Sequence, residues 1–178
     1  MNMFSSTWLM EGFWHPLQTP SQLILLVSLA VLLGQQNKLT LPKIITAFVG
    51  FLCLGFVINH FYPLAWDVEL LLLIVALGIS LLVTLRLKLS VFVLLPIILL
   101  SGLVLGLDSK PIMIPGFGNN IMYNWLVGVL VSMMSLGIMV GLTSYVLRNL
   151  GNGIVLRVIG SWIATSALFV LTLMLVKP

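Results

Sequence analysis

Apolar residues in this chain gather into six long runs, and the short segments between them hold most of the charge. The runs lie at 20–34, 42–61, 66–85, 89–106, 121–147 and 154–176. A helix rises about 1.5 Å per residue, so about 20 apolar residues cross a hydrocarbon layer of roughly 30 Å. The pattern predicts an all-α, polytopic membrane protein: one membrane domain over 1–178, folded as a six-transmembrane-helix bundle. The run at 20–34 is the shortest. Thr19 is placed to cap it, and Pro20 takes the first helical position, where a missing N–H costs nothing. The segment 1–19 lacks the basic start and apolar core of a secretory leader. Its Trp8, Phe13 and Trp14 suit an extracytoplasmic interfacial segment instead.

Composition sharpens this reading. The chain is 61% hydrophobic and 7% charged, too little charge for a soluble domain of this size. Of its eight basic residues, six lie in three loops: Lys38 and Lys43, Arg86 and Lys88, Arg148 and Arg157. Those loops alternate with loops holding only Lys110 and the tail residue Lys177. The positive-inside rule makes the basic loops cytoplasmic and both termini extracytoplasmic. The expected location is a bacterial inner (cell) membrane, crossed several times, with the lipid bilayer as first partner. Basic residues scattered in this way do not form a nucleic-acid surface. The one cysteine, Cys53, lies within an apolar run, as a small packing residue would.

Charge placement also supplies candidate chemistry. All four acids, Glu11, Asp67, Glu69 and Asp108, fall on the outer side, as do both histidines, His15 and His60. Carboxylate and imidazole are ligands for divalent transition metals. Polar groups also gather at interfaces simply to stay hydrated, and both readings stay open. Gly128 and Ser132, then Gly137 and Gly141, are spaced four apart, which lets helices approach closely in lipid. A membrane partner or a second copy of the chain is expected at the Gly137/Gly141 face. Met122, Met133, Met134 and Met139 could line a path for a soft cation or fill gaps in packing. Pro96 predicts a kink in the run 89–106. No phosphate-binding loop, nucleophile elbow or zinc-protease helix occurs, so no enzyme is expected.

Two motifs carry a resemblance. His15-Pro-Leu-Gln-Thr-Pro-Ser-Gln22 is similar to the H-P-x-x-G-x-D-H motif of the HupE/UreJ family of small nickel or cobalt permease-like membrane proteins. The His-Pro pair is present, with Thr19, Ser21 and Gln22 in place of the glycine, aspartate and second histidine. Ser101-Gly-Leu-Val-Leu-Gly-Leu-Asp108 resembles that family's H-G-x-A-H-G-x-E motif. Gly102 and Gly106 remain, Asp108 takes the acidic position, and Ser101 and Leu105 replace the histidines. Glu69 is placed like a glutamate common near the start of the family's third helix. The resemblance implies passage of a divalent cation, with His15, Glu69 and Asp108 as metal ligands and His60 and Asp67 as further candidates. No cofactor is implied beyond a bound divalent cation. This reduced donor set is richer in oxygen and suits a harder ion. The other reading is a membrane scaffold or accessory subunit that keeps the bundle and has lost metal binding. In its favour, no ionisable residue lies deep in any run.

Overall fold

The computed structural model describes residues 3–36, 41–62, 67–109, 119–148 and 150–176. Lys38, Trp66, Lys110 and Lys177 lie outside them. Among the described residues all regular structure is helical: α1 (Met3–Gln18), α2 (Pro20–Gln35), α3 (Leu41–Phe61), α4 (Val68–Thr84), α5 (Val91–Asp108), α6 (Asn119–Leu147) and α7 (Ile154–Val176). A short 3-10 turn, Leu150–Gly153, precedes α7. Among the described residues, four helices are long and apolar enough to cross a membrane, at Lys43–Phe61, Val91–Asp108, Ile121–Leu147 and Ile154–Val176. The pair Thr7–Gln18 and Pro20–Gln35 meets that condition together but is bent by 75°, and Val68–Thr84 is a shorter apolar helix.

The bend has a local cause. Thr19 precedes a proline, which disfavours helical backbone at that residue, and Thr19 is extended at φ −101° and ψ 101°. Pro20 has no N–H to continue the ladder. The Thr19 amide and hydroxyl both donate to the His15 carbonyl, at 3.1 and 3.0 Å, and finish α1. The segment expected to lie at the interface is thus a helix packed on α6. Its seam is glycine: a Cβ at Gly12 would strike the Trp125 carbonyl, and one at Gly128 the Leu9 carbonyl.

Helix α2 is the axis of the molecule, packed against α4 and α6 and more lightly against α1, α5 and α7. Its Leu25, Leu29 and Leu32 join Leu72, Ala76, Ile98, Val129 and Met133 in the buried core. Beside it, α3 packs on α5, where Gly55, Gly102 and Gly106 bring the two backbones together, and α7 packs on α4. Cys53 is exposed on α3, rather than packed within the bundle as a small packing residue would be.

The two ends of α2 differ in chemistry. At its C-terminal end the Gln36 side chain donates to the Leu87 carbonyl and accepts from the Leu89 amide, both at 3.2 Å. Arg148 donates to the Gln36 carbonyl at 3.4 Å, and Arg157 to the Thr84 carbonyl at 3.1 Å. Arg86, in left-handed backbone at φ 52°, ends the α4 turn, and its guanidinium lies against Gly153. Three arginines thus share one end of the bundle. The His15–Gln22 elbow is at the other.

Candidate functional site

The elbow holds the clearest polar cluster. Gln22 lies in the first turn of α2 and is fully buried, as is Ser21. The Gln22 Nε2 donates to the Asp108 carboxylate, at the end of α5, over 2.7 Å. His15 lies beside Gln22 and within electrostatic reach of Asp108. Its ring makes a T-shaped contact with buried Trp125 of α6, with centroids 4.9 Å apart and planes at 73°. Four helices therefore converge here: α1 supplies His15, α2 Ser21 and Gln22, α5 Asp108, and α6 Trp125.

Charge explains why Asp108 can sit there. It is the last residue of α5, where the carbonyl end of the helix repels an anion. The first turn of α2, with its unpaired amides, supplies the opposite potential, and Gln22 adds a direct donor. Three polar atoms of the cluster are buried without a protein hydrogen-bond partner: His15 Nδ1, Ser21 Oγ and Gln22 Oε1. A buried polar atom left unpaired costs about 1–3 kcal/mol. An imidazole nitrogen, a hydroxyl and an amide carbonyl beside a carboxylate make a mixed N/O donor set suited to a cation.

Of the residues read from sequence, His15 and Asp108 are brought together. Glu69 is half-buried in the first turn of α4, Asp67 is exposed just before it, and His60 is exposed at the end of α3 against Phe61. Among the described residues no three His, Cys, Asp or Glu side chains are grouped so as to hold a metal ion. The trio His15, Glu69 and Asp108 is therefore not assembled as such. The further donor at hand is Gln22, with buried Ser21 next to it in sequence; a reading based on charge passes over both because they carry none.

The replaced motif positions also face inward. Ser101 is fully buried and donates to the carbonyl of Ile97 in its own helix at 2.7 Å. Leu105, one turn before Asp108, is fully buried in the apolar core. Gly102 and Gly106 keep their role as contacts: a Cβ on either would strike the α3 backbone at Phe48 or Leu52. The HupE/UreJ protein family model matches residues 2–171, nearly the whole chain. The chain belongs to the HupE/UreJ family. No curated protein and no solved structure matches it. For a HupE/UreJ protein, the elbow is where the first-helix motif meets the end of the second motif, through Gln22 and Asp108. Membership, with the apolar helices, makes it a membrane protein of a metal-transport-related family.

Proposed function

We propose that this HupE/UreJ protein is a secondary permease for a divalent metal cation, of the nickel/cobalt class by family, and that the elbow is its outer binding mouth. The observation that carries this reading is the meeting of His15, Gln22 and Asp108 with three buried donor atoms left unpaired. An entering cation would take Asp108 as its charged ligand and compete with Gln22 for it, while His15 Nδ1 and Gln22 Oε1 are the neutral donors beside it. In this reading the bundle crosses the membrane six times, α1 and α2 together forming the first crossing, with both termini outside. The crossings of α2 and α4 are short, and they are shielded by α6 and α7 packed outside them.

A second reading is favoured by Leu105 and Ser101. A cation moving inward past Asp108 meets an apolar side chain where the family motif has histidine, and then a hydroxyl committed to its own helix. A scaffold that keeps the bundle, and offers a partner its Gly137/Gly141 face, would need neither ligand.

Uptake of Ni²⁺, Co²⁺ and Mn²⁺ into proteoliposomes separates the two. The permease reading expects saturable uptake that falls at least about tenfold in Asp108→Ala, a loss of about 1.4 kcal/mol or more of cation binding, and less steeply in His15→Ala. Background uptake by the parent chain for all three ions, with Leu105→His and Ser101→His together creating uptake, would leave the scaffold reading standing.

A further inference from the structure

Helix α3 packs on α5 and, among the described residues, on no other helix. A gap of about 490 Å³ therefore separates it from α2 and α6. Its walls are apolar: Leu29 and Leu33 of α2, Ile44 and Phe48 of α3, and Met133 and Ile138 of α6. Gly137 and Gly141 line it too, and they are not held small by a close neighbour. A Cβ at Gly137 would meet nothing nearer than Leu26 Cδ1 at 3.9 Å, and one at Gly141 only the Ala30 carbonyl at 3.6 Å. Gly137 opens space, while at Gly141 the α6 backbone comes close to Gly34 of α2, whose Cβ would strike the Gly141 carbonyl.

The gap has a direction. It follows α6 from Met133 to Tyr145, which is about 18 Å at 1.5 Å per residue. One leaflet of hydrocarbon is half of roughly 30 Å. The Tyr145 end lies at the arginine-bearing end of the bundle. There the Arg148 guanidinium sits 3.9 Å over the Tyr145 ring. Its Nη1 reaches the Gln36 carbonyl, while its Nε is buried without a protein partner. Lys43, which precedes the wall residue Ile44 in the first turn of α3, is exposed. An apolar slot one leaflet deep, with the Arg148 guanidinium at its interfacial end and Lys43 in the first turn of the helix that walls it, matches an acyl chain under an anionic headgroup. A protein helix would satisfy the walls and leave the cations unanswered.

We propose that the gap between α2, α3 and α6 holds one acyl chain of an anionic phospholipid, whose phosphate is received by Arg148 and Lys43. The proposal stands on the membrane bundle and does not depend on cation transport.

Native mass spectrometry of the purified full chain, titrated with phosphatidylglycerol or phosphatidylethanolamine, tests it. The expected result is one phosphatidylglycerol retained per chain, in preference to phosphatidylethanolamine. Arg148→Gln should lower that occupancy about fivefold, in line with one cation near an anionic lipid surface. Arg157→Gln removes an equal charge from the same end but away from the gap, and should leave occupancy unchanged. Gly137→Leu, at a position with room for a side chain, should displace the bound lipid while the protein stays folded. Equal retention of both lipids, equal effects of the two arginine variants, or a dimer that binds no lipid and is broken by Gly137→Leu would overturn it.

Discussion

Asp108 is an anion at the wrong end of its own helix, made tenable by a neighbour. A hydrogen bond to a charged group contributes about 1.5–3 kcal/mol, and the 2.7 Å bond from Gln22 is of that kind. Gln22→Ala should therefore lower the stability of the detergent-solubilised protein by about 2 kcal/mol, read as a fall in thermal midpoint. Gln22→His restores the family's donor and should raise Ni²⁺ affinity in isothermal titration. An unchanged midpoint in Gln22→Ala would mean that Asp108 is held by other partners. His15 and Asp108 were legible as candidates because charge and imidazole stand out in an apolar chain. Their pairing through Gln22 was not, because residues 86 positions apart in sequence meet only once α2 and α5 have packed. Glu69 stood out equally well by type and is not grouped with them, since motif spacing does not specify the azimuth of a helix.

At the scale of the helix, glycine position decides which contacts form. Gly106 lies against the Leu52 carbonyl and Gly55, so Gly106→Val forces α3 and α5 apart. That variant should lose the monodisperse peak in size-exclusion chromatography. Gly50 and Gly78 have open space where a Cβ would go. Ala at either should be neutral or stabilising by up to about 1 kcal/mol, because glycine is the costlier residue in a helix interior. The helix runs themselves were largely readable, since apolar length sets them. The run expected at 20–34 is α2 at Pro20–Gln35, and that at 154–176 is α7 at Ile154–Val176. The seams were less so. Small-residue spacing pointed to Gly128, which is a tight backbone contact, and to Gly137, which is not; it did not single out Gly12, Gly34, Gly55 or Gly106, where the backbones also meet closely. Spacing shows that a helix could approach, and only the packed bundle shows whether one does. The helix Met3–Gln18 escaped notice for a related reason: Pro16 and polar residues interrupt its pattern, and contact with α6 holds it instead.

Over the whole molecule, charge is sorted by end: arginines gather around Gln36, and the Asp108 cluster lies at the opposite end of α2. In the proposed orientation, which puts the basic end in the cytoplasm, single cysteines introduced in a Cys53→Ala background should report opposite sides. Glu11→Cys should react with a membrane-impermeant maleimide in intact cells, and Ser90→Cys only after lysis. Labelling of Ser90→Cys in intact cells, with Glu11→Cys reacting only after lysis, would reverse the assigned crossings and remove the external mouth.

Helix α2 carries a glutamine at each extremity, Gln22 holding Asp108 and Gln36 holding the α4–α5 turn. The two are about 21 Å apart along a helix at 1.5 Å per residue. A stiff rod latched at both tips cannot tilt at one without straining the other. If capture of an ion frees Gln22 from its carboxylate, the released tip turns α2 into a lever whose far arm bears on the arginine-rich rim.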